Sequence, residues 1–309
     1  MSRWRWYWCG VPLLGLIELV THEYIHHRTP EVDDYAALED AVAQLWSAGK
    51  PRDGLILVSP PWAEPNVRHA LGDQWMPLRD VARPDLAGYR QVLEIALLDH
   101  DSQLPGWDET QSRSMQHFEL RLLTNPQHEP VALDFVDSFS EKRAEVYTRR
   151  RGQLQPCRYN PRAKVSNGAL AGHPTFPRQR FECSHRDWHF VGVTVIEDHE
   201  YRPRRCLWAH PIRNTPTVVR FPGVLLGDAL HGHGGMPYLH ARDGKGAPIE
   251  LEVRIGDEAI GQYTHRPGAG WQPFEFDTRR FSGQTQDVEF EVRSQQTHRR
   301  QFCFQADVR

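Results

Sequence analysis

The chain has 309 residues, of which 39% are hydrophobic and 25% charged, and it carries 10 Trp, 23 Pro and 23 Gly. That is enough apolar material for two compact units and too much for a disordered chain. With 37 basic against 40 acidic residues the formal charge is −3, so no positive field exists to hold a phosphate backbone and nucleic acid is excluded as an expected partner.

The first element is Trp6 to Val20, WYWCGVPLLGLIELV, apolar apart from Glu18. These 15 residues span roughly 22 Å as a helix, against roughly 30 Å for a hydrocarbon core. Trp4, Trp6, Tyr7 and Trp8 suit one membrane interface and Tyr24 the other. Arg3 and Arg5 precede the run, while Glu23, Glu31, Asp33 and Asp34 follow it, which puts the N-terminus in the cytoplasm. No small-x-small cleavage site follows. The expectation is an uncleaved single-pass anchor over residues 1–30 with a periplasmic body, against a cleaved signal peptide or a helix buried in a soluble protein. A lone apolar segment also excludes a polytopic channel or transporter.

His22-Glu23-Tyr24-Ile25-His26 matches H-E-x-x-H. On a helix the two imidazoles lie one turn apart and can hold Zn²⁺, with Glu23 as general base on a bound water. Arg28 and Pro30 interrupt the helix, and no sheet precedes the motif to shape a cleft. The expected reading is the polar end of the anchor, with no cofactor. A metal site at His22 and His26, completed by Glu31 or Glu39, is the alternative.

Asp33 to Ala48 predicts an amphipathic helix with Tyr35, Leu38, Val42, Leu45 and Trp46 on one face. Gly54 to Val58 predicts a strand buried on both faces, and Gln91 to Leu98 its parallel neighbour, with Pro65 to Arg90 as the crossover. Residues 31–115 thus read as a small α/β unit. Trp62 and Glu64 lie just beyond the first strand, where open α/β sheets bind ligands. An aromatic face beside a carboxylate suits a sugar; the alternative is a packed Trp62 and a Glu64 that caps the next helix.

From Phe118 the texture changes to short strands, a sandwich over residues 116–309. Residues 149–183 read as a polar loop insertion. Asp187-Trp188-His189 and Trp208-Ala209-His210 pair aromatic with polar groups and read as edges of the β core. Arg202, Arg204 and Arg205 read as a solvated strand end. His231-Gly232-His233-Gly234-Gly235, with His240 nearby, reads either as a ligand or metal cluster or as a Gly-rich loop with solvated imidazoles. Cys157, Cys183, Cys206 and Cys303 allow three pairings. The expected one is Cys157–Cys183, closing the insertion, with Cys206–Cys303, tying the last strand to an earlier one; the alternative is four reduced thiols.

The last quarter alternates strictly. Ile249, Leu251, Val253 and Ile255 form one inward face, Val288, Phe290 and Val292 a second, and Phe302, Phe304, Ala306 and Val308 a third. Within it, Gly256-Asp257 ends one strand and Gly270-Trp271 precedes another. That second strand ends at Asp277, and Ser282-Gly283-Gln284 forms a turn before an alternating strand. This succession resembles the second half of a galactose-binding-like jelly roll, over residues 218–309. The resemblance implies a jelly roll that binds sugars, binds proteins or supports a neighbour. Residues 31–62, a helix followed by RDGLILVSPPW, resemble extracytoplasmic parts of bacterial glycosyltransferases that use lipid-linked sugars.

No G-x-S-x-G elbow, phosphate loop or dinucleotide fingerprint is present. The expected protein is α+β: an anchor helix, a small α/β unit and an antiparallel jelly-roll sandwich. Its expected role is a membrane-anchored, non-catalytic module that binds glycan or scaffolds an envelope protein assembly. Trp62, Glu64, His231 and His233 are the candidate ligand-binding residues. A zinc-dependent hydrolase at residues 22–26 and a purely structural subunit of a membrane complex are the alternatives.

Overall fold

A computed structural model describes residues 5–83, 85–97, 100, 102–165, 175–242 and 244–309, without the side chains of 5–11, 27 and 28. The expected interfacial rings of Trp4, Trp6, Tyr7 and Trp8, and the flanking Arg3, Arg5 and Arg28, therefore lie outside the described residues and side chains. The chain divides into two compact units. One comprises the chain up to Asp80 together with Tyr89–His128; the other comprises Val81–Gly88 and Glu129–Arg309.

In the first unit, α1 (Arg5–Arg28) is a 24-residue helix. Its described side chains from Pro12 to His26 are all exposed, and Leu13, Leu14, Leu16, Ile17, Leu19 and Val20 each show more than half of their surface. Among the described residues no helix is long and apolar enough to cross a membrane. Helix α2 (Val32–Leu45) begins with Glu31, whose N–H donates to Asp34 Oδ2 at 2.7 Å, and buries Leu38, Ala41 and Val42. Strand β1 (Gly54–Ser59) is buried throughout and runs parallel to β2 (Gln91–Leu97), with Gly54 opposite Gln91. Helix α3 (Glu64–Trp75) lies on the crossover between them, followed by the single turn α4 (Leu78–Val81).

This sheet has two further strands, β3 (Asp108–Ser114) and β4 (Phe118–Thr124), in the order β1-β2-β4-β3. The run at Phe118, assigned from its texture to the sandwich, thus belongs here. It pairs antiparallel with β2 because Phe118, Leu120 and Leu122 pack with Ile56, Leu93 and Ile95 in one core. The unit extends to His128 instead of stopping at residue 115.

The second unit is an antiparallel sandwich. One sheet runs β16 (Gln272–Asp277), β13 (Ala229–Gly235), β18 (Cys303–Val308), β11 (Pro203–Ala209), β10 (Phe190–Glu197), β9 (Arg180–Glu182) and β8 (Arg158–Asn160), with β5 (Leu133–Asp134) beside β18. The other runs β15 (Glu258–His265), β14 (Ile249–Ile255), β17 (Thr285–Arg293), β12 (Thr217–Leu225), β6 (Glu145–Arg150) and β7 (Gln153–Pro156). Two single turns complete it, α5 (Phe135–Ser138) and α6 (Tyr238–Ala241). The supposed insertion at 149–183 is therefore partly strand, contributing to both sheets; residues 166–174 lie outside the described residues.

Inward faces meet as the alternation predicts. Leu251, Val253, Val288 and Phe290 from one sheet pack with Leu207, Phe304 and Ala306 from the other, around Phe135, whose ring lies 4.8 Å from Phe221 and 4.9 Å from Phe290. Outward faces depart from it. Glu289 and Glu291 point out of the core yet are buried, because Arg149 bonds both, at 2.7 and 2.8 Å, and Arg220 bonds Glu289 at 2.9 Å. Every residue of β18 is buried. It is a central strand whose outer face is closed by the Cys303 bridge, by Gln305, whose side-chain amide donates to Asp307 at 3.2 Å, and by the Asp307–Arg309 pair at 2.7 Å.

Both expected disulfides are present, Cys157–Cys183 and Cys206–Cys303. The second joins β11 to β18 where these strands pair.

Candidate functional site

The residues singled out from the sequence lie in separate places. Trp62 sits on the turn Pro61–Ala63 with 66% of its surface exposed, and Glu64 opens α3, both in the first unit. His22 and His26 lie one turn apart on exposed α1, rings 6.4 Å apart, with His26 3.5 Å from Glu31. Among the described residues no group of three or more metal-ligating side chains is placed to hold an ion.

His231 and His233 are in the second unit, and the glycines around them do not make a loop. They belong to strand β13, between β16 and β18. A Cβ at Gly232 would stand 2.2 Å from Phe274 Cζ and 2.6 Å from the Gln305 carbonyl oxygen, so the missing side chain is a packing requirement. His231 faces outward, 3.8 Å from Glu275 and 4.0 Å from Glu129. The His233 ring stacks with that of Trp271, centroids 6.4 Å apart and planes 5° from parallel. The arginines read as a solvated strand end are paired: Arg204 with Asp198 at 2.7 Å, Arg205 with Asp137 at 2.5 Å and Arg202 with Glu200 at 3.5 Å.

The cavity that gathers aromatic and polar groups is elsewhere in this unit. Strand β10 starts, β11 ends and β18 starts at one end of the larger sheet. The loops there, residues 184–189, 210–216 and 294–302, together with α6, enclose about 520 Å³. Two of its lining rings, His189 and His210, continue a row of four near-parallel rings that runs into the core. Phe190 stacks on Trp208 (5.5 Å, 11°), Trp208 on His210 (6.4 Å, 17°) and His210 on His189 (5.3 Å, 21°). The row starts in the core at the buried Phe190 and Trp208 and ends at the half-buried His189 on the rim.

The rim loop is fixed by local bonds. His189 N–H donates to the Arg186 carbonyl at 3.0 Å, Cys183 N–H to the His189 carbonyl at 2.8 Å, and the Trp208 indole N–H to the Trp188 carbonyl at 3.0 Å. Ser184 Oγ and His189 Nδ1 share a hydrogen bond of 2.7 Å. Because its backbone is held, Trp188 can present its ring to solvent, 39% exposed, with Arg186 over it at 5.5 Å.

Electrostatics set what this wall offers. Burial, with the neighbouring His189 and His240, pushes the His210 imidazole down to about 3. Burial, with Arg186 and His185, lowers His189 to about 4. Both rings are neutral at pH 7. Nδ1 of His210, a residue only 5% exposed, has no hydrogen-bond partner, and neither has the buried Oε1 of Gln301. A buried acceptor left unmet costs free energy, and the two residues that carry these atoms both line the cavity.

No family model matches the chain, and no curated protein matches it. Solved structures that resemble it include carbohydrate-binding modules, a glycoside hydrolase domain and a secreted serine protease. One is CBM51 from Clostridium perfringens GH95 in complex with methyl-galactose, at 11% identity and TM-score 0.29, over 38% of this chain and 81% of that one. Another is the tandem CBM51 modules of a family 98 glycoside hydrolase from Streptococcus pneumoniae, at 6% identity and TM-score 0.32, over 52% and 47%. A third is the mannan-recognising module TmCBM27, at 9% identity and TM-score 0.24, over 38% and 77%. The superpositions are loose, and no residue or ligand is carried over from them. The likeness of residues 31–62 to glycosyltransferases is not shown.

Proposed function

We propose that the chain is a non-catalytic glycan-binding module and that the cavity beside Trp188 is its binding site. The observation that carries this reading is the juxtaposition of an exposed indole face with two buried, unpartnered acceptors, His210 Nδ1 and Gln301 Oε1. A sugar ring has apolar C–H faces that stack on an aromatic plane and hydroxyls that donate to fixed acceptors. A volume of about 520 Å³ lies within the range of small-ligand sites. No Asp or Glu is among the described residues lining it, so the pair of carboxylates that glycoside hydrolysis ordinarily uses is not assembled there. A glycan array followed by calorimetric titration of the best oligosaccharide tests the reading; Trp188→Ala should weaken binding roughly thirtyfold, and an array without a hit would refute it.

A second observation favours a lipid-tethered, extracytoplasmic setting. The apolar side chains of α1 are exposed, and two disulfides are made, which persist in oxidising compartments. In this reading α1 inserts into a lipid surface and the sandwich displays its cavity outside the cell. Flotation of the full chain with phospholipid vesicles, compared with a chain lacking residues 1–30, tests it. Equal recovery of both in the unbound fraction would refute it.

A further inference from the structure

Resting on the same cavity and on its reading as a sugar site, we infer that the sugar it takes carries an oxyanion, a carboxylate or a sulfate. Arg186, Arg213 and Arg299 all line the cavity, and no acidic side chain is among the described residues that do. The chain as a whole is slightly acidic, with a net charge of −3, so this basic cluster is a local feature. The charges of Arg186 and Arg213, set on two loops of one concave surface, repel, and a bound anion relieves that repulsion. A guanidinium also presents a planar fork of N–H donors that matches carboxylate and sulfate oxygens, and charge-assisted bonds of this kind are about twice as strong as neutral ones.

The division of labour within the site follows. The neutral wall of His210 and Gln301 accepts from hydroxyls, Trp188 takes the ring face, and Arg186 and Arg213 on the rim take the anion. His189 and His210 do not compete for that role, since their rings are uncharged at neutral pH. Arg213 is the cleanest probe because it is exposed on the 210–216 loop, and its replacement leaves the core untouched.

The test is calorimetry on the full chain with matched probes: a uronic-acid oligosaccharide against its methyl ester, and a sulfated oligosaccharide against its desulfated form. At least one charged member should bind about tenfold or more tightly than its neutral counterpart, and added salt should erode the difference. Arg213→Gln should remove about tenfold more affinity from the charged form than from the neutral form, while Arg213→Lys keeps most of the preference. An unchanged thermal midpoint establishes that each variant folds. Equal binding of charged and neutral members overturns the charge inference and leaves the glycan reading standing. Failure of every saccharide, or binding of an acidic peptide alone, overturns both. Preference within one pair identifies the oxyanion, and preference within both identifies charge itself as the determinant.

Discussion

The imidazole of His189 lies over that of His210, centroids 5.3 Å apart and planes 21° from parallel, and both rings line one cavity. The stack joins a rim loop to the end of a core strand. It therefore transmits the rigidity of the sandwich to the rim of the cavity.

Trp188→Ala should weaken glycan binding by about 2 kcal/mol, roughly thirtyfold in Kd, since aromatic anchors dominate such interfaces. Stability should change little. The ring is 39% exposed, and the bond that holds the loop uses the Trp188 carbonyl, which alanine retains. Titration calorimetry and a thermal melt separate the two effects.

The two disulfides should differ in consequence. Cys206 and Cys303 are 97 residues apart and Cys157 and Cys183 are 26 apart. In the chain-entropy model their removal costs about 4.7 and about 3.5 kcal/mol. Only the first joins the two strands whose ends carry His210 and Gln301. Denaturant titration of Cys206→Ala/Cys303→Ala should show the larger loss, together with weakened glycan binding. The Cys157→Ala/Cys183→Ala variant should retain more of both.

Those bridges were legible in the sequence because four cysteines allow few pairings and the last strand needed a tie. The inward faces of β14, β17 and β18 were legible because period two reports directly on a sheet. Strand β13 was not. Its glycines resemble a loop until Phe274 is seen to fill the space of a Cβ at Gly232. The buried outer face of β17 was hidden for a similar reason, as Glu289 and Glu291 look solvated until Arg149 and Arg220 cover them. The cavity is assembled from segments more than 100 residues apart, which no local pattern records. One signal was available. The doublets Trp188-His189 and Trp208-His210 each lie close to a bridged cysteine, so two aromatic–imidazole pairs were bound to be held rigidly.

Gly232→Ala should destabilise the sandwich by about 1–3 kcal/mol through overpacking, because the new methyl meets both the Phe274 ring and the Gln305 carbonyl oxygen. A urea midpoint equal to that of the unchanged chain would contradict this account of the β13 glycines.

Stability should fall on mild acidification. Burial holds His210 at about 3 and both His189 and His265 at about 4, below their ordinary 6.5. Between these values the unfolded imidazoles bind protons that the folded ones do not. Stability is therefore full above about pH 6.5 and is lost as pH falls toward 4 and 3. Asp134 acts in the opposite sense, because burial raises its carboxyl from 3.8 to about 6 and the folded state then binds the extra proton. Burial also lowers His233 and raises Asp307, so four imidazoles stand against two carboxyls and leave a net loss. His210→Gln should flatten the dependence, read as the urea midpoint between pH 7 and about pH 4.5.

The most direct test of the central claim is NMR titration of the labelled chain with an oligosaccharide selected on an array. The shifts should concentrate at the Trp188 indole, the His189 and His210 rings and the Gln301 amide. Perturbations centred on Trp62 and Glu64, or on His231 and His233, with the Trp188 cavity silent, would contradict it.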